Sequence, residues 1–114
     1  MKIDYNLQLN KNNKLQHFLN IEYLSKEHIN EIIDLADNYI SSNSNKFKDL
    51  EGKTIASLFF EPSTRTKTTF ELASKRLSAD FINIDIANSS TLKGESILDM
   101  IKTLEAMECD MFIV

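Results

Sequence analysis

Apolar positions along this chain keep two different rhythms, and the switch between them predicts its elements. Ile29, Ile32, Ile33, Ala36, Tyr39 and Ile40 recur at helical spacing. They predict a helix over 26–40 with one apolar face, capped by Ser25. Glu27, Glu31, Asp34 and Asp37 lie off most of that face. After Gly52 the rhythm changes to a short, nearly continuous apolar run at 54–60. That is the pattern of a strand covered on both faces, as in a parallel sheet, and Pro62 stops it. A second helix is predicted over 64–78, with Thr66, Phe70, Ala73 and Leu77 as its buried stripe. A strand at 81–86, a polar loop at 87–94, a helix at 95–107 and a third strand beginning at 110–114 complete the series. Ile97, Met100, Ile101, Leu104 and Met107 are the inward positions of that last helix. The fold class is therefore α/β: a helix, then βαβαβ, a parallel sheet with flanking helices. The stretch between the first two strands suits a helical crossover and is too long for a tight hairpin. Residues 1–20 are Asn-rich and weakly periodic and read as a lead-in arm.

Composition narrows the picture. A chain of 114 residues forms one domain. Its 42% hydrophobic and 26% charged residues are ordinary for a globular protein. No apolar run approaches a membrane span, and the N-terminus lacks the apolar core of a secretory signal. Cys109 is the single cysteine, so neither an intrachain disulfide nor a CxxC metal pair can form, and a cytoplasmic setting is expected. His17 and His28, with no Cys or His nearby, read as surface residues rather than ligands. Cys109 reads as a small buried hydrophobe, and Met100, Met107 and Met111 read as core. The net charge of −4 arises between Glu95 and Asp110, where five acidic side chains face Lys102 alone. With no basic stripe to neutralise a nucleic-acid backbone, nucleic acid is not an expected partner, nor is a membrane.

In open α/β sheets, ligands sit beyond the C-terminal ends of the strands. The first such end reads Glu61-Pro62-Ser63-Thr64-Arg65-Thr66-Lys67. Three hydroxyls and a guanidinium fall within four consecutive residues at a helix start, where free N–H groups and the helix dipole favour an anion. Arg65 can grip two oxygens of a tetrahedral anion at once. A hydrogen bond to a charged group contributes about 1.5–3 kcal/mol, against about 0.3–1 kcal/mol for an exposed dipole. Arg65 is thus the dominant contact. A lone Ser-Thr pair would more often only cap a helix. Here the whole cluster follows a buried strand, and it lacks the glycines of a P-loop. A small phosphate-bearing ligand fits best.

Phe59-Phe60-Glu61-Pro62-Ser63-Thr64-Arg65-Thr66 resembles the carbamoyl-phosphate signature of the transcarbamoylases, Phe-x-(Glu or Lys)-x-Ser-(Thr or Gly)-Arg-Thr. Glu61 looks like the aspartate carbamoyltransferase form; ornithine carbamoyltransferases usually carry Lys there. Lys67-Thr68-Thr69-Phe70-Glu71 is similar to the family's continuation, with Thr69 in place of the usual Ser. Ser89-Ser90-Thr91-Leu92-Lys93-Gly94-Glu95-Ser96 resembles its Ser-rich stretch ending in Lys-Gly-Glu. Ile97-Leu98-Asp99-Met100 then follows its Leu-x-Asp-Thr pattern, with Met100 departing. The resemblance covers roughly residues 19–114.

The resemblance implies carbamoyl transfer from carbamoyl phosphate to L-aspartate, an early step of pyrimidine synthesis, with no cofactor and no metal. It implies that Ser63, Thr64, Arg65 and Thr66 hold the phosphate and that Thr66 also reaches the carbonyl oxygen. Lys93, with Ser89 or Ser90, would reach into a neighbouring subunit's site. Glu95 would pair with Arg65 across the interface of a homotrimer, which regulatory subunits could join. In isolation, Lys93-Gly94-Glu95 would read as an ordinary exposed turn. The family pattern continues beyond a strand like 110–114 with an arginine and a histidine. It then adds a second, aspartate-binding domain. The chain accordingly reads as an arm (1–20) and a truncated carbamoyl-phosphate-binding domain (21–114), inactive alone. An ornithine-type transferase and a non-catalytic phosphometabolite-binding module are the alternatives.

Overall fold

The computed structural model describes residues 5–86 and 96–114. The chain divides into two compact units, residues 1–43 and 44–114.

In the first unit, the Asn-rich segment carries local structure of its own. Leu9 bridges Leu15 in antiparallel fashion, and Asn10 Oδ1 accepts from the N–H groups of Asn12 and Lys14. Asn13 turns the chain at φ 60°, a conformation Asn tolerates better than most residues. Gln8 is fully buried, and its Oε1 accepts from the N–H groups of Leu19 and Asn20. Helix α1, Lys26–Ser41, starts at Ser25 as expected. His28 is buried, which corrects its reading as a surface residue. Burial is tolerated because both ring nitrogens have partners: Nδ1 lies 2.6 Å from Ser25 Oγ and Nε2 lies 2.9 Å from the Asn13 carbonyl oxygen. His17 is exposed. Much of α1's apolar face is exposed, Ile40 at 80%.

The second unit contains β1 (Thr54–Phe59), α2 (Thr64–Arg76), β2 (Asp80–Asp85), α3 (Ile97–Ala106) and β3 (Met111–Ile113). Its three strands are parallel, in the order β2-β1-β3. Central β1 is the strand with the continuous apolar run. Ile55, Ala56, Ser57 and Leu58 are all buried, so it is covered on both faces. The connections β1-to-β2 and β2-to-β3 run in opposite directions across the sheet. Right-handed crossovers then place α2 and α3 on opposite faces, and the packing agrees. Ala56 and Leu58 cluster with Ile86, Met100, Leu104 and Cys109, and Ile97, Ile101 and Phe112 pack around them. On the other side of β1, Phe59 meets Phe70 of α2 at 6.5 Å between ring centroids.

Both crossover helices end without glycine. Ser78 and Glu108 adopt positive φ of 68° and 69°. Behind α2, Ser78 N–H donates to the Lys75 carbonyl and Ala79 N–H to that of Ser74. Behind α3, Glu108 N–H donates to the Glu105 carbonyl and Cys109 N–H to that of Leu104. This is the Schellman pattern, closed in each case by a small buried residue, Ala79 or Cys109.

Other expectations are corrected. The buried residue of α2 is Ser74, while Thr66, Phe70 and Ala73 are exposed and Leu77 is half-buried. Ser74 fits because its hydroxyl donates to the Phe70 carbonyl 2.7 Å away, which hides a buried position behind a polar residue. Met107 is 69% exposed because the helix stops one residue before it. Met111, at the start of edge strand β3, is also exposed; alternation turns Phe112 to the core instead. Only Met100 of that set is core.

Candidate functional site

Strand β1 delivers the chain to its C-terminal end at Phe59. Phe60, Glu61 and Pro62 are exposed, and α2 begins at Thr64. The Phe59–Phe70 contact ties the last strand residue to the second turn of α2 and so frames the connection between them. Beneath it, the fully buried Ser57 donates its hydroxyl to Asn83 Oδ1 at 2.7 Å. Ser57 and Asn83 are register partners, so the bond pins β1 to β2.

The helix termini differ in chemistry. Ser25 and Ser96 cap α1 and α3 by accepting from backbone N–H groups of the first turn. Ser63, at the corresponding position of α2, makes no side-chain cap bond; its backbone is at φ −128°, ψ 83°. The first bond into this end is Lys67 N–H to the Ser63 carbonyl, 3.0 Å. Among the described residues the N–H groups of Thr64, Arg65 and Thr66 have no acceptor outside the helix. Ser63 is half-buried, and Thr64, Arg65 and Thr66 are exposed. Their side chains make no hydrogen bond or ion pair with any described residue. The structure thus sets the four expected residues side by side on one helix start, their donors uncommitted among the described residues. An anion here would meet backbone N–H groups, hydroxyls and one guanidinium.

Two hydroxyls nearby behave differently. Thr68 Oγ1 donates to the Thr64 carbonyl at 2.7 Å, and Thr69 Oγ1 to the Arg65 carbonyl at 2.8 Å. They are committed to the helix backbone. The sequence reading did not single them out, although their i, i+4 spacing from Thr64 and Arg65 is the available signal.

Ser89, Ser90, Lys93 and Glu95, with the rest of the 87–94 loop, lie outside the described residues. Two concavities of the described residues lie elsewhere. One, of about 450 Å³, is in the first unit beside His28, Lys14 and Glu31. The other, of about 300 Å³, is lined by Lys53, Ile55, Asp110 and Met111 at the opposite, N-terminal end of the strands. Neither includes the Ser63–Thr66 turn. Among the described residues no three metal-ligating side chains come together, and no helix is long and apolar enough to cross a membrane.

Comparison with known proteins bears on this turn. Residues 16–114 match the family model for the carbamoyl-phosphate-binding domain of aspartate/ornithine carbamoyltransferases. The chain is similar to the catalytic subunit of M. jannaschii aspartate transcarbamoylase, with 36% identity over 86% of this chain and 33% of that one, TM-score 0.73. It is also similar to Trypanosoma cruzi aspartate transcarbamoylase solved with N-(phosphonacetyl)-L-aspartic acid, with 32% identity over 82% of this chain and 29% of that one, TM-score 0.69. The same enzyme solved with carbamoyl phosphate gives 33% identity over 80% and 30%, TM-score 0.67. The chain spans about a third of the length of these solved relatives.

Proposed function

The chain belongs to the aspartate/ornithine carbamoyltransferase family through its carbamoyl-phosphate-binding domain, and from that membership we propose that it holds carbamoyl phosphate for transfer of the carbamoyl group to L-aspartate. The products are N-carbamoyl-L-aspartate and phosphate, and the reaction serves pyrimidine synthesis in the cytoplasm. The observation that carries the reading is the start of α2 at the mouth of buried strand β1, where Ser63 makes no side-chain cap bond and Ser63, Thr64, Arg65 and Thr66 are uncommitted among the described residues.

The chemistry follows from these groups. Arg65, Ser63, Thr64 and the first N–H groups of α2 hold the phosphate. Thr66 donates to the carbonyl oxygen. When the aspartate amine attacks the carbonyl carbon, charge grows on that oxygen and a fixed donor stabilises it. The bond to phosphate then breaks, and the amine loses a proton. Phosphate is a good leaving group, so placing two substrates is the main catalytic task. Aspartate is favoured over ornithine as acceptor by Glu61 and by the solved aspartate transcarbamoylases that the chain resembles.

The Ser63–Thr66 turn faces outward, which supports a site completed by a neighbour. In our reading Lys93 supplies a cation, and Ser89 or Ser90 a hydroxyl, to the next subunit of a homotrimer, and Glu95 braces Arg65 there. Residues 1–20 form the arm and 21–114 the carbamoyl-phosphate domain. The 114 residues by themselves are inactive; turnover by them would contradict this. Arg65→Ala should weaken carbamoyl-phosphate binding roughly ten- to a hundredfold, from the energy of a charge-assisted hydrogen bond. In assembled enzyme, mixing Lys93→Ala with Arg65→Ala subunits should restore some activity. Mixed assemblies that never exceed their parents would rule out shared sites.

A further inference from the structure

The peptide groups at the start of α2 are not equivalent. In an α-helix, the carbonyls of Thr64 and Arg65 already accept the N–H groups of the residues four places on. Each also accepts a hydroxyl, from Thr68 at 2.7 Å and from Thr69 at 2.8 Å. Those carbonyls share their peptide units with the N–H groups of Arg65 and Thr66. Both N–H groups lie at the open helix end without an acceptor outside the helix among the described residues. The peptide before them, Ser63 carbonyl with Thr64 N–H, accepts Lys67 N–H at 3.0 Å and no hydroxyl among the described residues. Hydroxyl-to-carbonyl bonds recur elsewhere, but not in this setting. Thr103 Oγ1 donates to the Asp99 carbonyl, whose peptide partner Met100 N–H is already bonded to Ser96.

A hydrogen bond accepted by a carbonyl polarises its peptide unit and makes the attached N–H a stronger donor. We propose that Thr68 and Thr69 are positioning residues of the anion site, which load the Thr64 and Arg65 carbonyls and thereby strengthen and orient the Arg65 and Thr66 N–H groups toward a bound phosphate. Their own hydroxyls do not touch the ligand; they act through the backbone. The inference rests on the phosphate reading of the α2 start and adds to it a graded set of donors, with Thr64 N–H as the unassisted member.

Thr68 and Thr69 are exposed, so Thr→Val at each removes the hydroxyl at nearly constant shape without opening the core. Inorganic phosphate is the probe, titrated into the full chain and its variants, with melting temperature recorded alongside. The Thr68→Val/Thr69→Val double variant should bind phosphate about two- to tenfold more weakly, since polarisation changes a hydrogen bond by roughly a tenth to a third. Melting temperature should hardly change, and Thr68→Ser/Thr69→Ser should restore binding. In the ligand-free protein, the amide-proton resonances of Arg65 and Thr66 should move upfield in the Val variant while that of Thr64 stays. Unchanged affinity with unchanged resonances overturns the inference. So does weakened binding that serine fails to restore. Arg65→Ala separates the two levels. If that substitution leaves phosphate affinity unchanged, or the parent chain binds no phosphate, the site reading itself is wrong. If Arg65→Ala weakens binding at least about tenfold while the Val variants bind normally, only the present inference falls.

Discussion

At His28 the geometry fixes the ring's hydrogen. The Asn13 carbonyl can only accept, so Nε2 carries the hydrogen that faces it at 2.9 Å, and Nδ1, which accepts from Ser25 N–H at 3.4 Å, lies 2.6 Å from Ser25 Oγ. Ser25 Oγ in turn accepts from His28 N–H at 3.2 Å. One imidazole therefore caps α1 and fastens the 10–14 turn to it. His28→Ala should lower the stability of the chain by about 1–3 kcal/mol, the cost of leaving buried groups without partners. A urea titration followed by circular dichroism measures it, and a loss below about 0.5 kcal/mol would contradict the clasp. None of this could be read from the sequence, where His28 stands without an obvious partner; Asn13 lies fifteen residues away and contributes a backbone atom. Ser57 and Asn83 were hidden for a similar reason. A buried serine on a central strand carries no local mark, and its partner sits on another strand.

Among the elements, the starts of α1, β1 and α2 were more legible than their ends, whereas α3 starts at Ile97, two residues after the expected 95. Ser25, Pro62 and the run at 54–60 marked where α1, α2 and β1 begin, because caps, prolines and apolar runs act locally. The expected ends at 78 and 107 were one to two residues late. Natural stop signals were missing: positive φ at helix ends is usually assigned to glycine, and here Ser78 and Glu108 adopt it. A non-glycine residue in that conformation is strained. Glu108→Gly should stabilise the protein by about 0.5–1 kcal/mol, less whatever entropy glycine adds to the unfolded chain. Thermal denaturation of the pair is the check; a lower melting temperature for the glycine variant would mean that Glu108 is not strained. The face of α2 was also misassigned. Helical period gave Ala73, whereas the sheet selected Ser74, whose back-bonded hydroxyl lets a polar side chain lie inside.

In the second unit as a whole, stability centres on β1. Leu58 and Ala56 are fully buried at the middle of the α3 face. Leu58→Ala should cost about 2–5 kcal/mol, enough to unfold a marginal domain. The readout is the denaturation midpoint; a cost under about 1 kcal/mol would mean that the surroundings collapse into the space. The same strand that carries this core ends at the Ser63–Thr66 turn, so core and site are coupled by chain continuity rather than by contact.

The sequence by itself determined the βαβαβ order, the doubly covered β1 and the hydroxyl-guanidinium cluster at its end. Those features rest on short-range periodicity and on residues adjacent in the chain. Only the tertiary structure decided the strand order β2-β1-β3, the burial of His28 and Ser74, the exposure of Met107 and Met111, and the bonding of the Thr68 and Thr69 hydroxyls to the α2 backbone. Each depends on which distant backbone atom or strand a side chain meets, and one chain's residue pattern does not encode that meeting locally.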